Sequence, residues 1–391
     1  MSPGSSDWLP AWLALLEQAQ QALLAALHTL GLAAELNGQP AWPFAQRLAL
    51  EVLAIDRGLA RSLLLAVLVL ALTLLPALAG LLWRRARRPL WAGALLGLAA
   101  GLALWPWGQA WLLWAPAVPS SFQQSPGGFS AAAIVQGAQR YQQHCVTCHG
   151  AGGSGDGPLA AQQPLWPPNL NRGLLARRRE GELWWQVQHG MQDAQGRHTM
   201  PGFASAVSPG ETWQLLAYLQ AQAAGQTLHE EGRWRLPVAL PEMAVRCDNG
   251  PTRPLRSWTG QRLRLVAAGP SLREDPRFIT IAVPAPGQPA NGANSAACQA
   301  QDPEAWAALA RIAGVPPTEL AGTQFIADRQ GWLRARSQPG AAGWRADDLV
   351  CRAEADGASG RGAPPDALDQ LIARMDAEPV RAVVPGTPHL P

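Results

Sequence analysis

The chain contains no lysine: all 31 basic residues are arginine. With Ala, Gly, Pro and Trp abundant, this points to genome composition rather than to a demand for guanidinium chemistry. The basic residues form no stripe interleaved with aromatics, which excludes a nucleic-acid-binding reading. The net charge of +3 is the sum of nearly neutral pieces. Charge is scarce at the front, where residues 1–130 hold seven Arg and five acids, whereas residues 226–391 hold eighteen of each. The front therefore reads as membrane-like and the back as a soluble domain. No basic residue precedes the first apolar stretch, so that stretch is not a standard secretory signal. Cysteine is also scarce, with five in 391 residues. Two form one tight pair, and the remaining three (Cys247, Cys298 and Cys351) cannot close a complete disulfide set. One bridge plus a free thiol and three unpaired thiols both stay open. A zinc site needs a second pair of Cys or His at matching spacing, and none is present. The length suggests two or three domains.

What is present begins with two long apolar runs. Ser62 to Trp83 and Pro89 to Pro116 carry no charge, and a bilayer span needs about 20 apolar residues. Two transmembrane helices are expected, at 62–83 and 91–114. Between them lies Arg84-Arg85-Ala86-Arg87-Arg88, and short Arg-rich loops stay cytoplasmic. The second helix then runs outward, with Trp105, Trp107, Trp111 and Trp114 as an interfacial belt at its outer end. Everything after about Pro116 falls on the periplasmic side of a bacterial inner membrane. Within residues 1–61, the Leu/Ala-rich stretch from Trp8 to Ala34 is interrupted by Glu17, Gln18, Gln20, Gln21 and His28. It reads either as an amphipathic helix at the outer surface or as a third span with its polar residues turned to other helices. Residues 117–130, with Pro119, Pro126 and a Gly pair, read as a linker.

Cys145-Val-Thr-Cys148-His149 fits the C-x-x-C-H pattern of c-type haem attachment. The two thiols add to two vinyl groups on adjacent edges of one haem, and the next residue sets an imidazole under the iron. A thioredoxin-type pair is disfavoured because no strand precedes it. Residues 131–224 resemble a class I cytochrome c domain of the membrane-anchored bacterial type. Gly137-Ala-Gln-Arg-Tyr141 resembles the family's first helix, in which a Gly lets a second helix cross closely. Residues 149–158 resemble the loop around the haem edge. Trp213 to Leu219 resembles the last helix, with Leu216 and Tyr218 facing Gly137 and the haem.

The resemblance implies one covalent haem c whose iron is held by His149 and a Met thioether. Met200, in Met200-Pro201-Gly202-Phe203, is the expected sixth ligand; Met191 competes but lacks the Pro-Gly turn. A Met/His pair favours electron transfer over oxygen chemistry. Pro168, in Pro167-Pro168-Asn169-Leu170, corresponds to the Pro whose carbonyl accepts the proximal His N–H. His144, His189 and His198 read as surface or packed side chains. Arg177-Arg178-Arg179 reads as a solvated face or as a dock for an acidic partner.

Residues 233–380 form the last expected domain. Strands are expected at 262–267 and 278–283, a helix at 303–313, a hairpin at 324–327 and 332–335 around Asp328-Arg-Gln-Gly331, and a closing helix at 366–375. This order resembles a thioredoxin-like fold, as does Cys247-Asp-Asn-Gly250 followed by Trp258. It departs from that family where the thiol pair belongs, at Ala268-Gly-Pro-Ser271, and in having Gly322-Thr323 where a Pro is expected. No catalytic residue carries over, and binding or docking is the implied role. Cys247 and Cys298 are left as a structural disulfide or as copper ligands.

The expected fold class is thus multidomain: a helical membrane anchor, an all-α cytochrome domain and an α/β thioredoxin-like domain. The expected function is electron transfer between a redox donor and acceptor, rather than catalysis in its own right. The alternatives are a redox-linked assembly or copper-handling factor and a subunit of a larger oxidase or dehydrogenase complex.

Overall fold

The computed structural model describes residues 8–82, 87–173, 175, 178–267, 274–288, 297–337, 344 and 367–380. Arg84, Arg85, Arg177, Ala268–Ser271, Cys351 and Asp366, each noted above, lie outside the described residues. The chain divides into two compact units, one reaching to Gln123 and one running from Gln124 to Val380.

The first unit opens with α1 (Trp8–Thr29). Two short antiparallel strands follow, β1 (Glu35–Leu36) and β2 (Gln39–Pro40), then β3 (Gln46–Leu48), α2 (Leu50–Ile55) and α3 (Arg57–Leu82). Leu9, Trp12 and Leu13 of α1 pack on Leu50 and Leu53 of α2, Leu59 and Leu63 of α3, and Leu113. The polar residues that break the α1 run are used within this packing. Gln20 Oε1 accepts from the Leu48 amide at 2.8 Å, and Gln21 Nε2 donates to Glu17 Oε1 at 2.8 Å.

Helix α3 begins where Asp56 Oδ1 takes the orphan amide of Leu59 at 2.9 Å. Among the described helices it is the one that alone is long and apolar enough to cross a membrane, over Arg57–Ala79. Helix α4 (Arg87–Leu104) packs back on it. Gly97 and Gly101 allow the approach, since a Cβ at either would collide with Thr73 or Leu70 of α3.

The second run departs from the expected 91–114 helix. Pro106 has no N–H and fixes φ, so the helix ends at Leu104. A 3-10 turn at Trp107–Leu113 is bent 72° away from it, and the two pass as a span only if counted together. Leu113 is buried against α1 and α2, and β4 (Trp114–Pro116) pairs with β3. The Trp cluster thus belongs to a folded cap of this unit. Half of the expected linker belongs there as well. Ser120, Ser121 and Gln123 are buried, and Gln123 Nε2 donates to the Leu36 carbonyl at 2.8 Å.

The second unit starts with α5 (Ala131–His144), capped by the Ser130 hydroxyl. The single turn α6 (Val146–His149), α7 (Glu180–His189), a hairpin of β5 (Met191–Gln192) and β6 (His198–Met200), and α8 (Pro209–Glu231) follow. Ser208 and Glu211 form a reciprocal capping box at the start of α8, with Pro209 in its first turn. Helices α5 and α8 cross at Gly137, where a Cβ would strike the Gln214 backbone and Tyr218 Cβ. Gln214 joins Tyr218 at that crossing.

The rest of the unit is a mixed sheet of β7 (Val238–Ala239), β8 (Ala244–Cys247), β9 (Arg253–Pro254), β10 (Leu263–Ala267), β11 (Ile279–Val283), β12 (Cys298–Ala300), β13 (Gln324–Ala327) and β14 (Trp332–Arg336). Their spatial order is β7-β14-β13-β10-β11-β12-β8-β9. Strands β10, β11 and β12 run parallel, and β13 and β14 are antiparallel to their neighbours. The two helices are α9 (Ala305–Ala313) and α10 (Ala367–Ala377). The expected strands, hairpin and helices match these elements within a few residues. Strands β7, β8, β9 and β12 were not expected. Cys247 lies opposite Cys298 in the β8–β12 register, and the two form a disulfide.

Alternation of side chains sends Leu263, Leu265 and Ala267 into a core with α9 and sends Ile326 and Ala335 onto α10. On the α10 side, buried Arg334 pairs with Asp328 and donates to the Met375 and Glu378 carbonyls at the end of that helix.

The cytochrome-like helices and the sheet share one core. Ala131 and Ile134 of α5 and Ala217, Ala221, Ala224 and Leu228 of α8 cluster with Trp306, Leu309 and Ile312 of α9. Helix α8 runs through the boundary expected at Ala224. It meets α9 backbone to backbone at Gly225, where a Cβ would collide with the Arg311 carbonyl and stand 3.1 Å from Gly314 Cα. At an exposed helical site, Gly→Ala stabilises by about 1 kcal/mol. Here overpacking of about 1–3 kcal/mol outweighs it. Gly225→Ala is therefore expected to lower the thermal unfolding midpoint by calorimetry; a higher midpoint contradicts the crossing.

Candidate functional site

Helix α5 delivers the attachment turn. The Cys145 amide closes α5 onto the Tyr141 carbonyl at 2.9 Å. The Cys148 and His149 amides then bond back to the Cys145 carbonyl at 3.2 and 2.9 Å. Cys145 and Cys148 therefore sit three apart on one helical turn, on the same face. Both are free thiols and half-buried. Burial, and then the neighbouring Cys148, pushes the Cys145 thiol up to about 12.

The loop after His149 doubles back over this turn. Gly150 caps it at φ 75°, a left-handed conformation that favours glycine. The Gly155, Gly157 and Leu159 amides then bond to the His149, Cys148 and Thr147 carbonyls at 2.9, 3.2 and 2.8 Å. A Cβ on Gly157 would lie 2.5 to 2.7 Å from the backbone of Val146, Thr147 and Cys148, so only a bare backbone fits. Gly155 lies against the Pro167 carbonyl and Pro168, which brings the Pro-Pro segment to the same place.

His149 is largely enclosed. Burial lowers its pKa, and the Pro168 carbonyl opposes that shift. The approach stops short of a formed hydrogen bond, because Nδ1 has no partner at full geometry. The net direction favours the neutral imidazole, the form that ligates metals.

Two carbonyls of the loop are tied down by side chains. The buried Tyr141 hydroxyl donates to the Gly150 carbonyl at 2.7 Å, and Asn171 Nδ2 donates to the Gly152 carbonyl at 2.7 Å. The Tyr141 and Tyr218 rings lie 5.1 Å apart. Burial raises both phenols, so both keep their protons at neutral pH. Sequence reasoning named Tyr141 only as a packing aromatic and missed Asn171, whose sole signal was its place two residues after Asn169.

Met200 and Met191 are direct cross-strand partners on β5 and β6. Met200 is half-buried, whereas Met191 is 37 % exposed. The turn after Met200 is pinned to α7, since the Phe203 amide bonds the Val187 carbonyl at 2.9 Å and Gly202 packs on the His189 backbone. The other histidines are engaged elsewhere. His189 stacks on Trp185 at 3.7 Å, His198 lies 3.3 Å from Gln192 Nε2, and His144 faces Phe203 at 6.2 Å. In the Arg run, Arg178 is exposed but Arg179 is buried, so Arg179 is not part of a solvated face.

Residues 132–219 match the family model of cytochrome c oxidase, cbb3-type, subunit III. No curated protein matches. Among solved structures, a chain of the Kuenenia stuttgartiensis reducing HAO-like protein complex matches at 20% identity and a TM-score of 0.23. That alignment covers 33% of this chain and 59% of the other, and it carries no argument. The family match supports a c-type cytochrome domain in these residues, and such a domain implies covalently bound haem c. The donor set fits that group: two free thiols on one turn, an imidazole next to them, and a glycine loop whose Gly157 lets bare backbone close over the turn.

Two predictions follow from this geometry. In the haem-free chain Cys145 is protonated at pH 8, and the thiolate is the reactive form. Its alkylation by iodoacetamide, followed by peptide mass, is expected to rise about tenfold per pH unit up to about pH 10. A plateau by about pH 9, as for an ordinary thiol, contradicts the burial of Cys145. Tyr141→Phe removes one of two donors on the Gly150 carbonyl, which keeps the Gly153 amide at 3.2 Å, and is expected to cost about 0.5–1.5 kcal/mol in denaturant unfolding.

Proposed function

We propose that this chain is a membrane-anchored c-type cytochrome, carrying one covalent haem and passing electrons between redox partners rather than acting as an enzyme in its own right. The observation that carries the reading is the attachment turn, with two free thiols and an imidazole at consecutive ligating positions inside the segment that matches the cytochrome family. Cys145 and Cys148 would hold the haem by thioether bonds, and His149 and Met200 would ligate its iron. Pro168 orients His149 through its carbonyl, completing a hydrogen bond that the apo geometry leaves open. Bound haem supplies a one-electron ferric/ferrous couple. The loop from Gly150 to Leu159 and the tyrosine pair exclude water from one side of the site and keep the loop carbonyls satisfied.

Helix α3 anchors the chain in the bacterial inner membrane, and the bent run from α4 to Leu113 returns across it, which sets the second unit on the periplasmic side. The apolarity of α3 supports the anchor, and the arginines around residues 84–88 support the orientation. Donor and acceptor are redox proteins, with a membrane oxidase or dehydrogenase complex as the natural setting. The order β14-β13-β10-β11, with β10 and β11 parallel and β13 and β14 antiparallel beside β10, supports a thioredoxin-like sheet in the last domain. Its two described cysteines are bonded to each other on β8 and β12, away from the end of β10, which supports docking rather than thiol exchange. With both sulfurs so engaged, the pair offers no support for a copper-handling role.

Co-expression with haem-attachment machinery tests the reading. The polypeptide is expected to keep its pigment through acid extraction, and Cys145→Ala with Cys148→Ala to lose it. Met200→Ala is expected to abolish the weak sulfur-to-iron band and to lower the midpoint potential, while Met191→Ala leaves both unchanged. A colourless wild-type chain overturns the proposal.

A further inference from the structure

The haem-loop carbonyls are also held from outside the segment that matches the cytochrome family. The match ends at residue 219. Gln222, still on α8, donates from Nε2 to the Gly152 carbonyl at 3.2 Å. Its Oε1 accepts from the Tyr218 hydroxyl at 3.2 Å and from Arg311 Nη1 at 2.9 Å. Arg311 stands on α9, and its guanidinium carbon lies 5.5 Å from the centre of the Tyr218 ring, within cation–π range. The chain has only two tyrosines, and both belong to this assembly.

The arrangement is directional. A glutamine amide can be turned either way, but two donors on Oε1 leave Nε2 facing Gly152. Helix α9 cannot drift from this position, because Gly225 and Gly314 meet with no side chain between them. A cation from the sheet domain is thus two hydrogen bonds from the third residue after His149.

We propose that Arg311 is a positioning residue for the haem: through Gln222 it fixes the Gly152 carbonyl, and its charge beside the tyrosine pair favours ferrous iron. This rests on the cytochrome reading above. Reduction adds one electron, taken from an external donor, and lowers the net charge of the haem by one. A fixed cation nearby repels the ferrous form less than the ferric form, so it raises the potential. Arg311 keeps much of its surface in water, so the effect is modest and salt-sensitive. The last domain thereby takes part in setting the redox couple, in addition to any docking role.

The test is an optical redox titration of the full-length holoprotein in detergent, with dithionite and ferricyanide, for wild type, Arg311→Met and Arg311→Lys. At the wild-type midpoint, Arg311→Met is expected to lower the ferrous-to-ferric ratio about threefold, or about 28 mV at 59 mV per tenfold. Arg311→Lys, which keeps the charge, is expected to fall between the two, and the difference between wild type and Arg311→Met to shrink at high salt. An unchanged ratio in Arg311→Met overturns the inference, as does a drop in Arg311→Lys equal to that in Arg311→Met. Should Arg311→Met not accumulate as holoprotein, Arg311→Gln replaces it with the same two outcomes. A wild-type chain without covalent haem is recognised before any titration and overturns the cytochrome reading together with this inference.

Discussion

The second unit depends on a helix with almost no free face. From Thr212 to Leu228, α8 buries residues all round its circumference, including Trp213, Leu215, Leu216, Tyr218, Ala221 and Leu228. A helix apolar on every side is a buried one, and α8 is buried because two layers claim it. Helix α5 crosses it at Gly137, and α9 crosses the same face about two turns further along, at Gly225. Each crossing is close because a glycine removes the side chain that would hold the helices apart. A helix held at two points along one face cannot tilt onto one partner without opening a void against the other, and such cavities cost several kcal/mol. The attachment turn and the sheet therefore move, if at all, as one body.

Fixed helices alone do not make a haem site, because the loop around the attachment turn is mostly backbone. Its glycines let it press against residues 146–148, and its carbonyls draw side-chain donors in addition to backbone ones such as the Gly153 amide on Gly150. An unmet buried carbonyl is expensive. The structure answers with three polar side chains from three directions: Tyr141 on Gly150, and Asn171 and Gln222 on Gly152. Two of the three reach the loop from helices that α8 itself holds in register. Rigidity at the proximal ligand is thus inherited from the core.

Much of this was legible in the sequence where the signal is local. Cys145, Cys148 and His149 announce themselves by spacing, Gly137 by its place on an amphipathic helix, and β10, β11, β13 and β14 by alternation around turn residues. What was missed is non-local or double-edged. The domain boundary expected at Ala224 falls inside α8, and Gly225 beside it marks where another helix crosses. The apolarity of residues 91–114 masked the one residue, Pro106, that decides where the helix stops. For Glu17 and Gln20 the sequence left open whether they face water or other elements; they are buried, with a strand and a helical neighbour supplying partners. The short strands β8 and β12 carry too few residues to show a period, so the pairing of Cys247 with Cys298 emerges only once the sheet brings them into register.

That pairing bears on the free thiols of the attachment turn. The Cys247–Cys298 bond spans 51 residues of sequence and ties β8 to the sheet. In the chain-entropy account, a loop of that size is worth about 4 kcal/mol. Such a bond persists in an oxidising compartment and is rare in a reducing one. Cys145 and Cys148 lie in the same compact unit and so experience the same compartment. Two thiols three residues apart on one turn are prone to oxidise there unless something else consumes them. Thioether formation does so irreversibly, and the raised pKa of Cys145 slows oxidation before it happens, because exchange proceeds through the thiolate. The proposed haem and the disulfide are thus compatible with one oxidising compartment: one pair of cysteines persists there as a disulfide, and attachment to the porphyrin would remove the other pair from oxidation.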